Sequence, residues 1–209
     1  MNGLERRWLE RARRLHALAT TGQHFSGDVF DQERYAELRG IAEAMLADLA
    51  DVPVERIAEQ MAVGDGGYAT PKVDVRAAVI REGHILLVQE RSDGRWAMPG
   101  GYADVGTSPA ANAVKETWEE AGLRVEATRL YACYDQHHPA HPPPLHHFYK
   151  LHFLCGAGPG DPAPGHEVAD ARFFAPDALP DLSVNRTWAK DIARAFAHHA
   201  DPARAAYFE

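Results

Sequence analysis

Cysteine is scarce in this chain: 2 in 209 residues, Cys133 and Cys155, and neither belongs to a Cys-x-x-Cys pair. That argues against a disulfide scaffold and against a zinc or redox site built on thiols. Long apolar runs are also missing. The longest candidate, 85–88, is strand-sized, far short of the roughly 18 residues that span a bilayer. Charges break up the opening MNGLERRWLE, so no secretory signal is visible and a cytoplasmic setting without membrane contact is expected. Basic residues are outnumbered, 22 Lys and Arg against 30 Asp and Glu, for a net charge of -8. Such a balance disfavours a protein that lives on nucleic acid or an anionic membrane. An acidic protein that handles phosphates needs a local cation. Hydrophobic residues at 45% and charged residues at 25% leave a globular chain as the remaining class.

The first 64 residues have their own texture. Leu4, Trp8, Leu9, Ala12, Leu15 and Leu18 recur at helical spacing, as do Tyr35, Leu38, Ile41, Ala42, Met45, Leu46 and Leu49. A third short helix is expected after Pro53, carrying Val54, Ile57, Ala58 and Met61. This predicts a three-helix module over 1–64. Its first helix presents Arg6, Arg7, Arg11, Arg13 and Arg14, yet the module holds 8 basic against 11 acidic residues. A solvated face or a subunit interface is therefore favoured over DNA binding. A Gly/Pro-marked linker is expected over 65–74, followed by a second domain over 75–209.

Past the linker the period changes. Strands are expected over 75–80 and 84–88 around a turn at Arg81-Glu82-Gly83, and again over 130–134, 148–155 and 171–174. Helices are expected over 109–121 and 186–198. The pattern predicts a compact mixed-sheet domain.

Chemistry concentrates in PGGYADVGTSPAANAVKETWEEAGL, residues 99–123. Ser108-Pro109 starts a helix, with a hydroxyl at the cap and proline at its first position, and Gly122 suits its exit. Glu116, Glu119 and Glu120 then fall at i, i+3 and i+4 and leave one face together. Like charges so placed repel, unless a divalent cation sits on them. Carboxylate oxygens are what Mg²⁺ or Mn²⁺ prefer. The paired glycines upstream allow backbone to approach a metal or phosphate closely.

These residues resemble the Nudix signature G-x5-E-x7-R-E-U-x-E-E-x-G-U, where U is aliphatic. Gly101, Glu116, Glu119, Glu120, Gly122 and Leu123 match it; Thr107, Lys115 and Thr117 depart from it. The stretches YATPKVDVRAAV, FYKLHFLC, ARFF and LPDLS extend the likeness to a branch with a helical N-terminal domain, which includes CDP-choline pyrophosphatases and other nucleoside-diphosphate-X hydrolases. The resemblance implies an α+β fold: an α/β/α sandwich with a mixed sheet, behind a small all-helical domain. It also implies Mg²⁺ (or Mn²⁺) held by Glu116, Glu120 and the Gly101 carbonyl, with Glu119 binding metal or orienting the water. The absent Glu–Arg partnership of positions 107 and 115 means that support for the metal shell is supplied differently here.

By the same likeness a further carboxylate is expected from a loop, and Glu167 is the candidate; a solvent-facing acid is its alternative. Arg76 is either an inward phosphate clamp or a strand-edge surface residue. Arg91 and Trp96 flank the loop before Pro99: Arg91 is a candidate substrate contact, Trp96 a core residue. Asp104 is either close to the metal or a turn residue, and the turn role is favoured. The histidines of 137–147 suit a surface loop or a lid better than a zinc site. The expected activity is metal-dependent hydrolysis of a diphosphate linking a nucleoside to another group, CDP-choline first and ADP-ribose second, by a homodimer joined through the N-terminal helices. The rivals are a ligand sensor that has lost turnover and an RNA-processing enzyme.

Overall fold

A computed structural model describes residues 3–62, 68–135 and 146–209. The chain divides into two compact units, the first built on the N-terminal helices and the second on Val73–Asp135 with Phe148–Glu209. Residues 63–64 at the end of the expected helical module, 65–67 of the expected linker and 136–145 of the His/Pro-rich stretch lie outside the described residues.

The first unit holds α1 (Gly3–Phe25), α2 (Val29–Ala50) and α3 (Val54–Ala62). Asp28 caps α2, its Oδ1 accepting the Phe30 and Asp31 N–H groups at 3.0 and 3.1 Å. Leu9, Ala12, Leu46, Ala47 and Ile57 form the core. The two long helices meet closely at Gly22, where an added Cβ would fall 2.3 Å from the Tyr35 ring. Only part of the expected apolar stripes is buried by the chain itself: Trp8, Leu18, Leu38 and Ile41 stay exposed.

The second unit is a mixed sheet between two helices, an α/β/α sandwich. Its strands are β1 (Lys72–Arg81), β2 (His84–Glu90), β3 (Trp96–Ala97), β4 (Val125–Asp135), β5 (Phe148–Ala157), β6 (Val168–Phe174) and β7 (Tyr207–Phe208). Their order is β3-β2-β1-β5-β4-β7, with β6 also pairing β2. The pairs of β2 with β1, β3 and β6, and of β4 with β5, are antiparallel; β4 and β7 run parallel. Glu82 (φ 50°) and Gly83 (φ 73°) make the tight turn between β1 and β2. Helix α4 (Pro109–Ala121) covers one face through Ala113 and Ala121, against Val75, Ala77, Val79, Leu86 and Val88. Helix α5 (Ala189–Ala200) covers the other through Ile192 and Ala195, against Ala78, Ile80, Ile85 and Leu87. The alternation along β1 and β2 thus buries both sides.

Helix α5 begins three residues later than the 186 expected from its pattern. The preceding backbone is otherwise committed: Arg186 and Thr187 N–H both reach the Ser183 carbonyl, and the Thr187 hydroxyl accepts the Met98 N–H. The helix starts where Asp191 Oδ2 takes the Trp188 N–H at 3.1 Å. All five expected strands extend beyond their expected limits, β1 reaching back to Lys72, inside the stretch expected to be linker. The two-residue β3 and β7 carry too little pattern to be foreseen.

Candidate active site

The expected helix over 109–121 forms as read. Ser108 Oγ accepts the Ala111 N–H at 3.2 Å, Pro109 opens the first turn, and Gly122 exits left-handed at φ 59°. Thr117 stands where the signature has an aliphatic residue and is fully buried. Its hydroxyl donates to the Ala113 carbonyl one turn back at 2.8 Å, so it enters the core with its polar atom satisfied. The three glutamates share one side in graded exposure: Glu120 buried, Glu116 half-buried, Glu119 exposed.

The glycine loop lies along β1. The Pro99 and Gly101 carbonyls accept the Ala77 and Val75 N–H groups, both at 2.8 Å. Gly100 has φ 146°, and a Cβ there would lie 2.0 Å from the Val75 carbonyl oxygen. This close approach aims the Gly100 N–H at Glu120 Oε2, 2.9 Å away. A Cβ at Gly101 would lie 3.3 Å from Glu116 Oε2. The next residue, Tyr102, is 65% exposed and stacks parallel on Phe148 at 5.3 Å, an aromatic surface next to the glycines that can take a planar group.

A second loop closes on the end of α4. Ala163 and Gly165 N–H donate to the Ala121 and Glu120 carbonyls at 2.8 and 2.9 Å, satisfying groups a helix end leaves open. Only glycine fits at 165, where a Cβ would meet the Glu119 carbonyl oxygen at 1.7 Å. This docking carries Glu167 to where its charge is felt by Glu116. Arg91 joins from the other side, its Nε donating to the His166 carbonyl at 3.1 Å.

Burial pushes the Glu120 carboxyl up to about 7, despite the Gly100 hydrogen bond and the Arg76 charge. Burial also raises Glu116, against Lys115 and with the repulsion of Glu119 and Glu167. Glu90, at the end of β2, adds a further negative charge near Glu120 while bonded to Arg186 at 3.0 Å. Nothing in QERSDG distinguished it beforehand. These are carboxylates held together at electrostatic cost, the condition that a bound cation relieves.

Arg76 is inward-facing, but it is not an open clamp. Its Nε and Nη2 bond Asp74 at 3.0 and 2.8 Å and its Nη1 reaches the Met98 carbonyl at 3.2 Å. Burial opposes its charge; the Asp74 charge and bonds outweigh it and raise its pKa. Trp96 packs edge-on against Phe174, as a core residue does. On the α5 side of the sheet, Lys150 is buried with its Nζ on the Asn185 and Arg186 carbonyls, and burial pulls it down to about 8.

The donors fit a hard divalent cation in kind: Glu116, Glu119, Glu120 and the second lone pair of the Gly101 carbonyl are oxygens beside a side-chain-free glycine. Yet among the described residues no three acidic, histidine or cysteine side chains converge, as they lie, on a single ion position. Two contacts account for this. Glu119 Oε2 is drawn 3.1 Å from the Lys115 ammonium, and Glu120 Oε2 is engaged by Gly100.

A carboxylate-lined helix behind a glycine loop, mounted on a sheet between two helices, defines a phosphate-handling hydrolase of a recognisable class. The NUDIX domain profile matches residues 70–197, and the chain belongs to the Nudix family as a pyrophosphatase-type hydrolase. Residues 6–61 match a second profile, the UDP-X-like N-terminal oligomerisation domain. A Bacillus subtilis (strain 168) protein, YjhB, named provisionally as an ADP-ribose pyrophosphatase, is 42% identical over 99% of both chains. Among solved structures, a UDP-X diphosphatase is similar over 98% of this chain and 99% of its own, at 33% identity and TM-score 0.60. An ADP-ribose pyrophosphatase from Streptococcus suis 89-1591 is similar over 67% of this chain and 100% of its own, at 39% identity and TM-score 0.61.

Proposed function

We propose that this enzyme hydrolyses the phosphoric anhydride of a nucleoside diphosphate joined to a second group, with Mg²⁺ or Mn²⁺ at the α4 carboxylates. The observation that carries the reading is the placement of Glu116, Glu119 and Glu120 beside Gly100 and Gly101, in a chain similar end to end to proteins named for this chemistry. The relatives' names put ADP-ribose and uridine-diphosphate conjugates ahead of CDP-choline as first substrates. When bound, the cation polarises the phosphoryl oxygens and lowers the pKa of a water. Glu116, Glu120 and the Gly101 carbonyl hold the cation, while Glu119 or Glu167 takes the proton of the attacking water. Arg91, beside the Glu167 loop, neutralises substrate phosphate. The unpaired thiols of Cys133 and Cys155 suit a reducing, cytoplasmic setting.

The helical unit pairs two copies of the chain. The exposed Trp8, Leu18, Leu38 and Ile41, on a unit matching an oligomerisation domain, support this part of the reading. Light scattering at micromolar protein should give twice the 23.0 kDa chain mass, and a monomer would refute it.

The activity is tested by product mass after incubation with Mg²⁺ or Mn²⁺ and ADP-ribose, UDP-sugars, CDP-choline, dinucleoside polyphosphates and nucleoside triphosphates. One substrate should yield a nucleoside monophosphate and a phosphorylated partner, with kcat falling by about 10² or more in Glu119→Gln. Silence across the panel with both metals would sink the hydrolase reading for these substrates and favour a sensor.

A further inference from the structure

The Nudix signature places a glutamate at position 107 and an arginine at 115, and this chain has Thr107 and Lys115. Lys115 nevertheless has an acidic partner, from a different place. Its Nζ lies 3.0 Å from Asp104 Oδ2 and 3.1 Å from Glu119 Oε2, with Glu116 Oε1 further off at 4.0 Å. Asp104 is held for this contact. Its N–H donates to Asn112 Oδ1 at 3.1 Å, and Asn112, fully buried in the first turn of α4, uses its own amide on the Thr107 and Ser108 carbonyls at 3.3 and 3.2 Å. Thr107 is exposed and contributes backbone to this knot.

We propose that Asp104 and Lys115 are positioning residues that replace the absent pair, Asp104 acting on the metal-binding face through Lys115. An ammonium has three donors. Asp104 occupies one and holds the cation at the edge of the glutamate face, so that Glu119 takes a single contact and Glu116 stays outside bonding distance. With Asp104 gone, Lys115 falls back on Glu119 and Glu116 and competes with a metal ion for the same oxygens. The departures at Thr107 and Lys115 are then one rearranged device, in which the acid has moved three residues upstream.

The proposal rests on the metal-dependent reading above, and a double-mutant cycle on Mn²⁺ affinity keeps the two separable. Free Mn²⁺ is measured by electron paramagnetic resonance with the full-length wild type, Asp104→Asn, Lys115→Met and the double variant, without substrate. Asp104→Asn should weaken Mn²⁺ binding about tenfold, the usual cost of losing a residue that orients a metal ligand. In the Lys115→Met background the same substitution should change it by no more than about twofold, because the group through which Asp104 acts is gone. Equal losses in both backgrounds would mean that Asp104 acts by its charge alone, and no loss in either that it does not position the site; both overturn the proposal. The midpoint of thermal unfolding without metal should hardly move in any variant, since the pair is exposed, and a large drop would reassign Asp104 to structure. Mn²⁺ binding with no hydrolysis of any substrate sinks the hydrolase reading and leaves the cycle interpretable. A wild type that binds no Mn²⁺ overturns both.

Discussion

Gly100→Ala separates backbone geometry from carboxylate chemistry, because every part of its cost can be read from the structure. The new Cβ would stand 2.0 Å from the Val75 carbonyl oxygen and 2.9 Å from the Arg76 Cα, backbone atoms of a strand buried on both faces. Overpacking of this kind costs about 1–3 kcal/mol. The φ of 146° is one that only glycine adopts readily, and holding alanine there costs about 1–3 kcal/mol more. Moving the loop to relieve both breaks the Gly100 N–H bond to Glu120, whose loss from a buried carboxylate is worth about 1.5–3 kcal/mol. With the loop held in place the expected destabilisation is about 2–6 kcal/mol, a large part of a typical domain's stability. Gly106→Ala is the control. It lies in the same loop at φ 85° with nothing within 4 Å of the added Cβ, so only the left-handed backbone is charged, about 1–2 kcal/mol. Urea unfolding followed by tryptophan fluorescence measures both. If Gly100→Ala comes within about 1 kcal/mol of Gly106→Ala, the loop yields freely and the close approach to β1 does not hold Glu120 in place.

Two further outcomes concern buried charge. Asp74→Ala leaves the Arg76 guanidinium without its partner in the core and should cost about 3–5 kcal/mol, whereas Asp181→Ala, which breaks the exposed pair with Arg95, should cost about 1 kcal/mol or less by the same urea assay. His152 is fully buried, and burial, with the charges of Lys150, Arg76 and Arg194, holds its pKa well below the ordinary imidazole value. The unfolded chain therefore binds the proton that the folded chain refuses, and this residue's contribution to stability is lost as pH falls below about 6.5, at up to about 1.4 kcal/mol per pH unit. Glu120 and Asp191, raised by burial, act with the opposite sign over neighbouring pH, so the test is a difference. The stability gap between wild type and His152→Phe should shift in favour of the variant from pH 7 to pH 5, and a gap independent of pH would refute the assignment.

The elements legible in the sequence are those whose signals are local. Helix α4 announces its start by Ser108-Pro109, its end by Gly122, and its functional face by three glutamates at helical spacing, all within fifteen residues. The turn at Glu82-Gly83 is likewise local, and so is the alternation along β1. The short β3 and β7 and the late start of α5 depend on partners far along the chain, such as Thr187 meeting Met98. The exposed apolar residues of α1 and α2 followed the helical period as faithfully as the buried ones, because periodicity reports a face to be covered and not which surface covers it.

The same division runs through the site. Glu116, Glu119, Glu120 and Gly101 were readable because one helix and one loop bring them together. Arg76 was read as a clamp or a surface residue since its β-strand neighbours are apolar; the controlling fact was Asp74 two residues earlier, on the same side of the strand and near enough to bond it twice. Docking of the 158–167 loop hinges on Gly165, whose need for a bare Cα is set by the Glu119 carbonyl of another element. Lys115 shows the limit most directly. A motif treats positions 107 and 115 as a pair, and its absence implied only that the metal shell is supported differently, without saying by which residue. In the folded chain the buried Asn112 ties the loop so that Asp104 lies where the ammonium can reach it. What is required at the end of the Lys115 side chain is a carboxylate at about 3 Å, a demand on space and charge that a different residue satisfies once the loop is folded.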